Sequence, residues 1–159
     1  MPISTNKNKL IHIFTGMPDN ITDQNARVYP TILIGTYLGF ISYVSYLFLF
    51  AYLKVTPLAL YNIGSSIFYL LCIFIIRLKG AMRPVVLFAS IEIIAHQAFA
   101  VHILGWECGF QYFIFVIPLL IFLGRFKHNV VPVSFCCFSS IIFILLYLYA
   151  TNSFVPHTT

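Results

Sequence analysis

The sequence predicts an all-α fold: a polytopic transmembrane helical bundle of about five spans with a cytosolic N-terminus. Hydrophobic residues make up 60% of the 159-residue chain and charged residues only 8%, whereas soluble domains carry about 25% charged residues. The apolar residues are collected in long runs, and a run of about 20 apolar residues is what a helix needs to cross a bilayer. The chain is therefore expected to cross the lipid bilayer several times.

The basic residues predict the orientation of these spans, because lysine and arginine accumulate in cytosolic loops. Only Lys54 lies on the side opposite the N-terminus. The residues on the N-terminal side are Lys7, Lys9, Arg27, Arg77, Lys79, Arg83, Arg125 and Lys127. Topology thus accounts for the net charge of +5, and no nucleic-acid partner is expected.

The first 29 residues contain no apolar stretch typical of a cleavable signal peptide.

Three regions follow from this pattern: a cytosolic tail over residues 1–29, a transmembrane bundle over 30–150 and an external tail over 151–159. The five spans within the bundle are predicted at about 31–53, 55–76, 84–106, 109–124 and 130–150.

The first two spans carry signals of helix packing and helix initiation. Gly35 and Gly39 lie four residues apart in the first span, where the absence of side chains lets another helix approach closely. Pro57 suits the first turn of the second span, since the N–H that proline lacks has no partner there.

The third and fourth spans are expected to form a hairpin. Gly105 can adopt the left-handed conformation that ends a helix, and Gly109 lets the chain reverse. The fourth span, which ends near Gly124, is short for a hydrocarbon core of about 30 Å. Pro118 is expected to kink it, because proline removes a backbone hydrogen bond.

Glu92 and His96 are the leading candidates for function. They lie one helical turn apart on one face of the third span. An acidic residue near the middle of a membrane helix costs about 2.5–3.5 kcal/mol, so its presence calls for a partner or a function. The pair can share a proton or hold a polar ligand head group. Alternatively, both side chains only bond neighbouring helices, with a tyrosine, Ser65 or Asn62 as partners.

Four further residues near the hairpin are candidates for ligand contact: His102, Trp106, Gln111 and Tyr112. His102 lies about 120° around the helix from His96, so the two cannot form a site on a single face. A haem ligated by one of them and by another helix is a minor option, and otherwise no cofactor is expected. Trp106 is also suited to anchor the chain at the membrane interface, and Gln111 and Tyr112 can instead satisfy each other.

The four cysteines lack the spacing of a metal site, and three lie within apolar runs: Cys72, Cys136 and Cys137. They are interpreted as small packing residues. No metal site is expected, and no catalytic motif is present, so the chain is not expected to be an enzyme.

The hairpin carries a resemblance to a known family. Its residues are Glu92-x3-His96, then His102-x2-Gly105-Trp106-x2-Gly109-Phe110-Gln111-Tyr112, then Pro118, with Asn25-x-Arg27 ahead of the first span. This pattern resembles the N-terminal membrane-sensor module that precedes class III adenylate/guanylate cyclase domains in bacteria and also precedes some diguanylate cyclases. The specific match covers about 27 residues, from Glu92 to Pro118.

The resemblance implies a sensing or anchoring module of the bacterial inner membrane that regulates cyclic-nucleotide signalling by rearranging a homodimer. It implies that a small apolar or amphiphilic molecule, or the membrane itself, is the stimulus. The chain departs from the family in lacking the usual sixth span and the catalytic domain. The alternatives from other classes are a small transporter or proton-coupled carrier using Glu92 and His96, and a structural membrane subunit.

Overall fold

The computed structural model describes Pro18, Ile21, residues 26–124, Phe126 and residues 130–153, and all regular structure in these parts is helical. The α-helices are α1 (Tyr29–Tyr52), α2 (Thr56–Lys79), α3 (Met82–Leu104), α4 (Val116–Leu123) and α5 (Val130–Ser153). The predicted all-α bundle of about five helices is therefore confirmed. Most of the predicted tail over residues 1–29, and the end of the tail over 151–159, lie outside the described residues.

Four of these helices are long and apolar enough to cross a membrane: α1, α2, α3 and the Val130–Asn152 part of α5. The segment Phe110–Leu123 is also apolar but shorter. Many large apolar side chains on the outer faces are exposed, such as Phe48, Leu78 and Phe122, as expected of helices that face lipid tails. The protein is a multi-pass membrane protein by these criteria.

The connection between α1 and α2 is only three residues long, so the two helices lie side by side and antiparallel. Lys54 in this connection has a φ of 58°, which lets the chain reverse within a few residues. Pro57 lies in the first turn of α2, as the sequence indicates. At the other end of α2, Gly80 takes a left-handed conformation (φ 61°, ψ 17°) and its N–H bonds the Ile76 carbonyl, which ends the helix.

The turn after α3 differs in detail from the expectation for Gly105. Its φ of 84° is positive, but its ψ of 175° is extended, so Gly105 ends α3 without forming a left-handed helical turn. Such a combination of angles is essentially restricted to glycine. A short 3₁₀ helix, Trp106–Cys108, follows. Gly109, at φ 75° and ψ 0°, then supplies the left-handed conformation that reverses the chain.

The fourth segment is not one kinked α-helix. Residues Phe110–Phe115 form a 3₁₀ helix, and α4 begins at Val116. Pro118 therefore lies in the first turn of α4 and not in the middle of a longer α-helix, so the predicted kink is replaced by a change of helix type. Because a 3₁₀ helix rises about 2.0 Å per residue, against 1.5 Å for an α-helix, this change lengthens the segment.

The helices pack around α3, which contacts all the others, while α1 packs mostly on α2. One apolar cluster lies where α1 and α3 begin and α2 and α4 end, and includes Leu33, Ile76 and Ile121. A second lies at the opposite end, around Phe50 and Leu58. The polar groups described next lie between these two clusters, deep within the bundle.

Candidate functional site

Glu92 joins three helices through hydrogen bonds to its carboxyl group. It lies about 15 Å along α3 from Met82, at 1.5 Å per residue, and is half-buried. The Tyr43 hydroxyl of α1 donates to Glu92 Oε2 over 2.6 Å, and the Ser65 hydroxyl of α2 donates to Glu92 Oε1 over 2.6 Å. Both distances are at the short end of the range for O–H···O bonds. The tyrosine and Ser65 that the sequence offered as structural partners are thus the observed ones.

Tyr69 completes this group, which we call the Glu92 cluster (Glu92, Tyr43, Ser65 and Tyr69). Its ring stacks on Tyr43 with centroids 5.0 Å apart. The ring also lies against Gly39, where an added Cβ would be 2.5 Å from Tyr69 Cε1, so any side chain at Gly39 would collide with the cluster.

Gly35 has a different environment from Gly39, although both were expected to contact another helix. No atom lies within 4 Å of a Cβ built at Gly35. Gly35 lines an open cleft instead. Of these two glycines, it is therefore Gly39 that provides the close approach between helices.

His96 is completely buried in an aromatic cage. Tyr43 approaches its ring edge-on at a centroid distance of 5.0 Å, and Tyr46 stacks on it at 6.3 Å with 20° between the planes. Tyr61 and Phe110 lie 5.5 and 6.1 Å away. Neither ring nitrogen has a hydrogen-bond partner among the described residues. An unmade hydrogen bond at a buried polar group costs about 1–3 kcal/mol, and both ring nitrogens have hydrogen-bonding capacity that no described residue uses.

Glu92 and His96 are therefore not the directly bonded pair that their spacing suggests. Both oxygens of Glu92 bond hydroxyls from other helices, and the nitrogens of His96 bond none of the described residues. Tyr43 connects them, since its hydroxyl bonds the carboxyl and its ring contacts the imidazole. Tyr43 thus provides a direct line of contact between the two residues.

A cleft of about 500 Å³ lies between α1, α3 and α4. Most of its lining is apolar. The polar or aromatic side chains among its lining residues include Tyr43, Tyr46, Tyr69, His96 and Gln97. Gln97 is 4% exposed and its Oε1 has no partner among the described residues. We call this space the α1–α3–α4 cleft.

His102 and Trp106 lie apart from this cleft, at the contact between α3 and α5. His102 Nδ1 is 2.6 Å from the Tyr149 hydroxyl of α5, and Trp106 packs edge-on against Phe143 and Tyr147 of the same helix. The structure thus does not bring these two candidates to Glu92 and His96.

Gln111 and Tyr112 do not satisfy each other either. Gln111 is fully buried, and its Nε2 donates to the Trp106 carbonyl over 2.9 Å. Its Oε1 has no partner among the described residues. Tyr112 is exposed, and its ring lies 6.2 Å from that of Phe143. Gln111 therefore stabilises the hairpin turn through this hydrogen bond, and Tyr112 lies on the surface beside Phe143 of α5.

In the part of the chain that the structure describes, no group of three or more metal-ligating side chains could hold an ion. The four cysteines are unpaired. His96 and His102 face different neighbours, the aromatic cage and Tyr149 respectively.

The residues missed by the sequence analysis are mainly Tyr43, Tyr46 and Gln97. A signal for the two tyrosines was present, since Gly39, Tyr43 and Tyr46 follow at helical spacings of four and three and share a face of α1. Gln97, next to His96, offered no periodic signal of its own.

Comparisons with protein-family models, curated proteins and solved structures find no match to this chain.

Proposed function

We propose that this chain is a membrane-embedded sensor or anchor module that regulates cyclic-nucleotide signalling, of the kind that precedes bacterial nucleotide cyclase domains. The resemblance of the Glu92–Pro118 hairpin to such modules supports the signalling context. The observation that carries the proposal is the Glu92 cluster, in which one carboxyl of α3 bonds hydroxyls of α1 and α2.

A cluster of this kind suits a sensor because it couples helix positions. The two hydroxyls bond different oxygens of one carboxyl group. A shift of α1 relative to α3 would therefore disturb the Tyr43 hydrogen bond, and the resulting movement of the carboxyl would change the strength of its hydrogen bond with Ser65. Hydrogen-bond networks of this kind can carry coupling between distant sites when they have two discrete arrangements. An apolar residue at position 92 would avoid the cost of placing a carboxyl within the membrane. The presence of Glu92 at this position therefore supports a role beyond packing.

In the proposed mechanism, a ligand or a change in the bilayer acts at the α1–α3–α4 cleft and moves α1. Tyr43 and Tyr46 line this cleft, and Tyr43 also bonds Glu92. The movement then reaches α2 through Ser65. In a homodimer in the bacterial inner membrane, the rearranged helices would change the relative placement of two output domains.

A chimera tests this proposal. The chain is joined through one added transmembrane helix to an adenylate cyclase catalytic domain and reconstituted in liposomes of short-chain or long-chain phosphatidylcholine. We expect cyclic AMP production by the parent to differ between the two bilayers by about fivefold or more, the low end of allosteric coupling.

The Glu92→Gln and His96→Ala variants are expected to fold but to lose this difference, and Glu107→Gln serves as the control. Glu107 is an exposed carboxylate in the hairpin turn, so its loss removes the same charge outside the cluster. If Glu92→Gln and His96→Ala both responded like the parent, the hairpin would be scaffold and the sensor proposal would be withdrawn.

A further inference from the structure

We propose that the α1–α3–α4 cleft binds an uncharged, single-chain amphiphile whose hydroxyl head group hydrogen-bonds His96 and Gln97. The inference identifies the ligand class of the proposed sensor and rests on that function for its biological meaning. Binding itself is measurable on the chain without any output domain.

The dimensions of the cleft favour a single extended chain. Its volume of about 500 Å³ falls within the range of small-molecule sites, about 300–1,000 Å³. Its lining extends along α1 from Thr31 to Tyr46, a length of about 22 Å at 1.5 Å per residue. A space that is long for its volume accommodates one alkyl chain better than a ring system or two chains.

The walls of the cleft match the alkyl part of such a ligand. Apolar side chains from all three helices line it, among them Leu38, Val86 and Leu120. Gly35 lies in the same wall with open space beside it. The apolar body of the ligand therefore meets mainly carbon atoms.

The polar end of the cleft defines the head group. His96 and Gln97 line the cleft, and His96 Nδ1, His96 Nε2 and Gln97 Oε1 all lack partners among the described residues. A neutral imidazole offers one N–H donor and one acceptor nitrogen, and an amide oxygen only accepts. A hydroxyl both donates and accepts, so it can satisfy one atom of each residue.

The electrostatic surroundings favour an uncharged head. Among the described residues, no lysine or arginine lines the cleft, so a carboxylate head would find no cation on this lining. A cationic head would likewise find no carboxylate on the described lining, because Glu92 is not among its residues and instead bonds Tyr43 and Ser65. Either ion would also have to leave water for the interior of the membrane, which is costly.

Access to the head-group site requires one side chain to move. The unpartnered atoms of His96 and Gln97 have essentially no accessible surface. Tyr46 is half-buried, lines the cleft and stacks on His96, so its rotation uncovers the imidazole. Because Tyr46 lies one turn from Tyr43 on α1, the same movement takes place beside the Glu92 cluster.

Photolabelling of the full chain tests the proposal. The chain is purified into lipid nanodiscs and exposed to a long-chain alcohol that carries a photoreactive diazirine in its alkyl chain. We expect mass spectrometry to place the label on cleft residues of α1 and α4. Unlabelled 1-tetradecanol should compete for this labelling, whereas tetradecane and tetradecanoate should compete at least about fivefold less, because they lack the neutral hydroxyl that satisfies the buried polar atoms.

Two glycine variants provide a matched comparison. Neither Gly35 nor Gly64 has an atom within 4 Å of an added Cβ, but only Gly35 lines the cleft. Gly35→Leu is therefore expected to abolish the competed labelling, and Gly64→Leu to leave it unchanged. His96→Phe keeps an aromatic ring in the cage but removes both nitrogens, and should reduce competition by 1-tetradecanol at least about fivefold.

The outcomes separate the ligand proposal from the proposed function. The ligand proposal would be overturned if tetradecane competed for the labelling as well as 1-tetradecanol does. It would also be overturned if Gly35→Leu and Gly64→Leu changed the labelling equally. Stable filling of the cleft by a photoreactive bilayer phospholipid that 1-tetradecanol does not displace would overturn it too. A chimera that still responded to bilayer thickness would then retain the sensor function without this ligand. Competed binding with an unresponsive chimera would support the ligand site and contradict the sensor function.

Discussion

At the scale of single residues, Glu92 explains how a carboxyl group is accommodated inside an apolar bundle. Its two oxygens each accept a hydrogen bond from a hydroxyl, those of Tyr43 and Ser65. Hydroxyls can supply these bonds without introducing a second charge. The carboxyl group is thus satisfied by hydroxyls, and no lysine or arginine is found among the described residues that line the neighbouring cleft.

We expect Tyr43→Phe to lower the free energy of unfolding by about 0.5–2 kcal/mol, because it leaves one oxygen of Glu92 without its donor while keeping the ring. In combination with Glu92→Gln, the two effects should be clearly non-additive, as for residues in direct contact. Denaturation in mixed detergent micelles measures both quantities. Tyr52→Phe removes a hydroxyl from the same helix at a side chain that is 84% exposed, and should change stability little. Additive effects of the two cluster substitutions would show that the Tyr43–Glu92 bond contributes nothing.

At the scale of helices, the α1–α2 contact is the most extensive in the bundle, and Gly39 sets its spacing locally. The Tyr69 ring occupies the place of a side chain at position 39. That ring cannot move freely, because it is also stacked on Tyr43. Small residues that let large ones pack closely are typical of membrane helix interfaces.

Gly39→Ala is accordingly expected to destabilise the protein by about 1–3 kcal/mol, the usual cost of overpacking. Gly35→Ala is the matched control, since it has open space beside it and gains helix propensity of up to about 1 kcal/mol. Thermal denaturation in a single detergent compares the two variants. If the Gly39→Ala and Gly35→Ala proteins had the same melting temperature, the Tyr69 ring would have moved aside without loss of stability, which would contradict this prediction.

At the scale of the whole molecule, the short segment Phe110–Leu123 decides the topology. Its 3₁₀ part has six residues and α4 has eight, and each part spans about 12 Å. The total is below the roughly 30 Å of a hydrocarbon core, so the interface must be reached by residues of the flanking turns or by local thinning of the bilayer.

We expect this segment to cross the membrane, which places the N-terminus in the cytosol and Thr159 outside. The expectation follows from the excess of lysine and arginine on one side. A reporter enzyme that works only in the cytosol should be active when inserted at Gly80 and inactive when fused after Thr159. Activity at both positions would show that the short segment re-enters the same side without crossing.

The sequence by itself determined that the chain is an all-helical membrane bundle, because the length and hydropathy of each apolar run are local properties. It also singled out Glu92, since a carboxyl group inside an apolar run must find a partner wherever the helices pack. The approximate positions of α1, α2, α3 and α5 followed from the same local signals.

Only the tertiary structure decided which groups meet. It assigned Tyr43 and Ser65 to Glu92 and left the nitrogens of His96 without described partners. It also separated Gly39 from Gly35. The physical reason is that the rotation and register of each helix depend on interdigitation with segments far away in the sequence, and the periodicity of a single helix does not specify those neighbours.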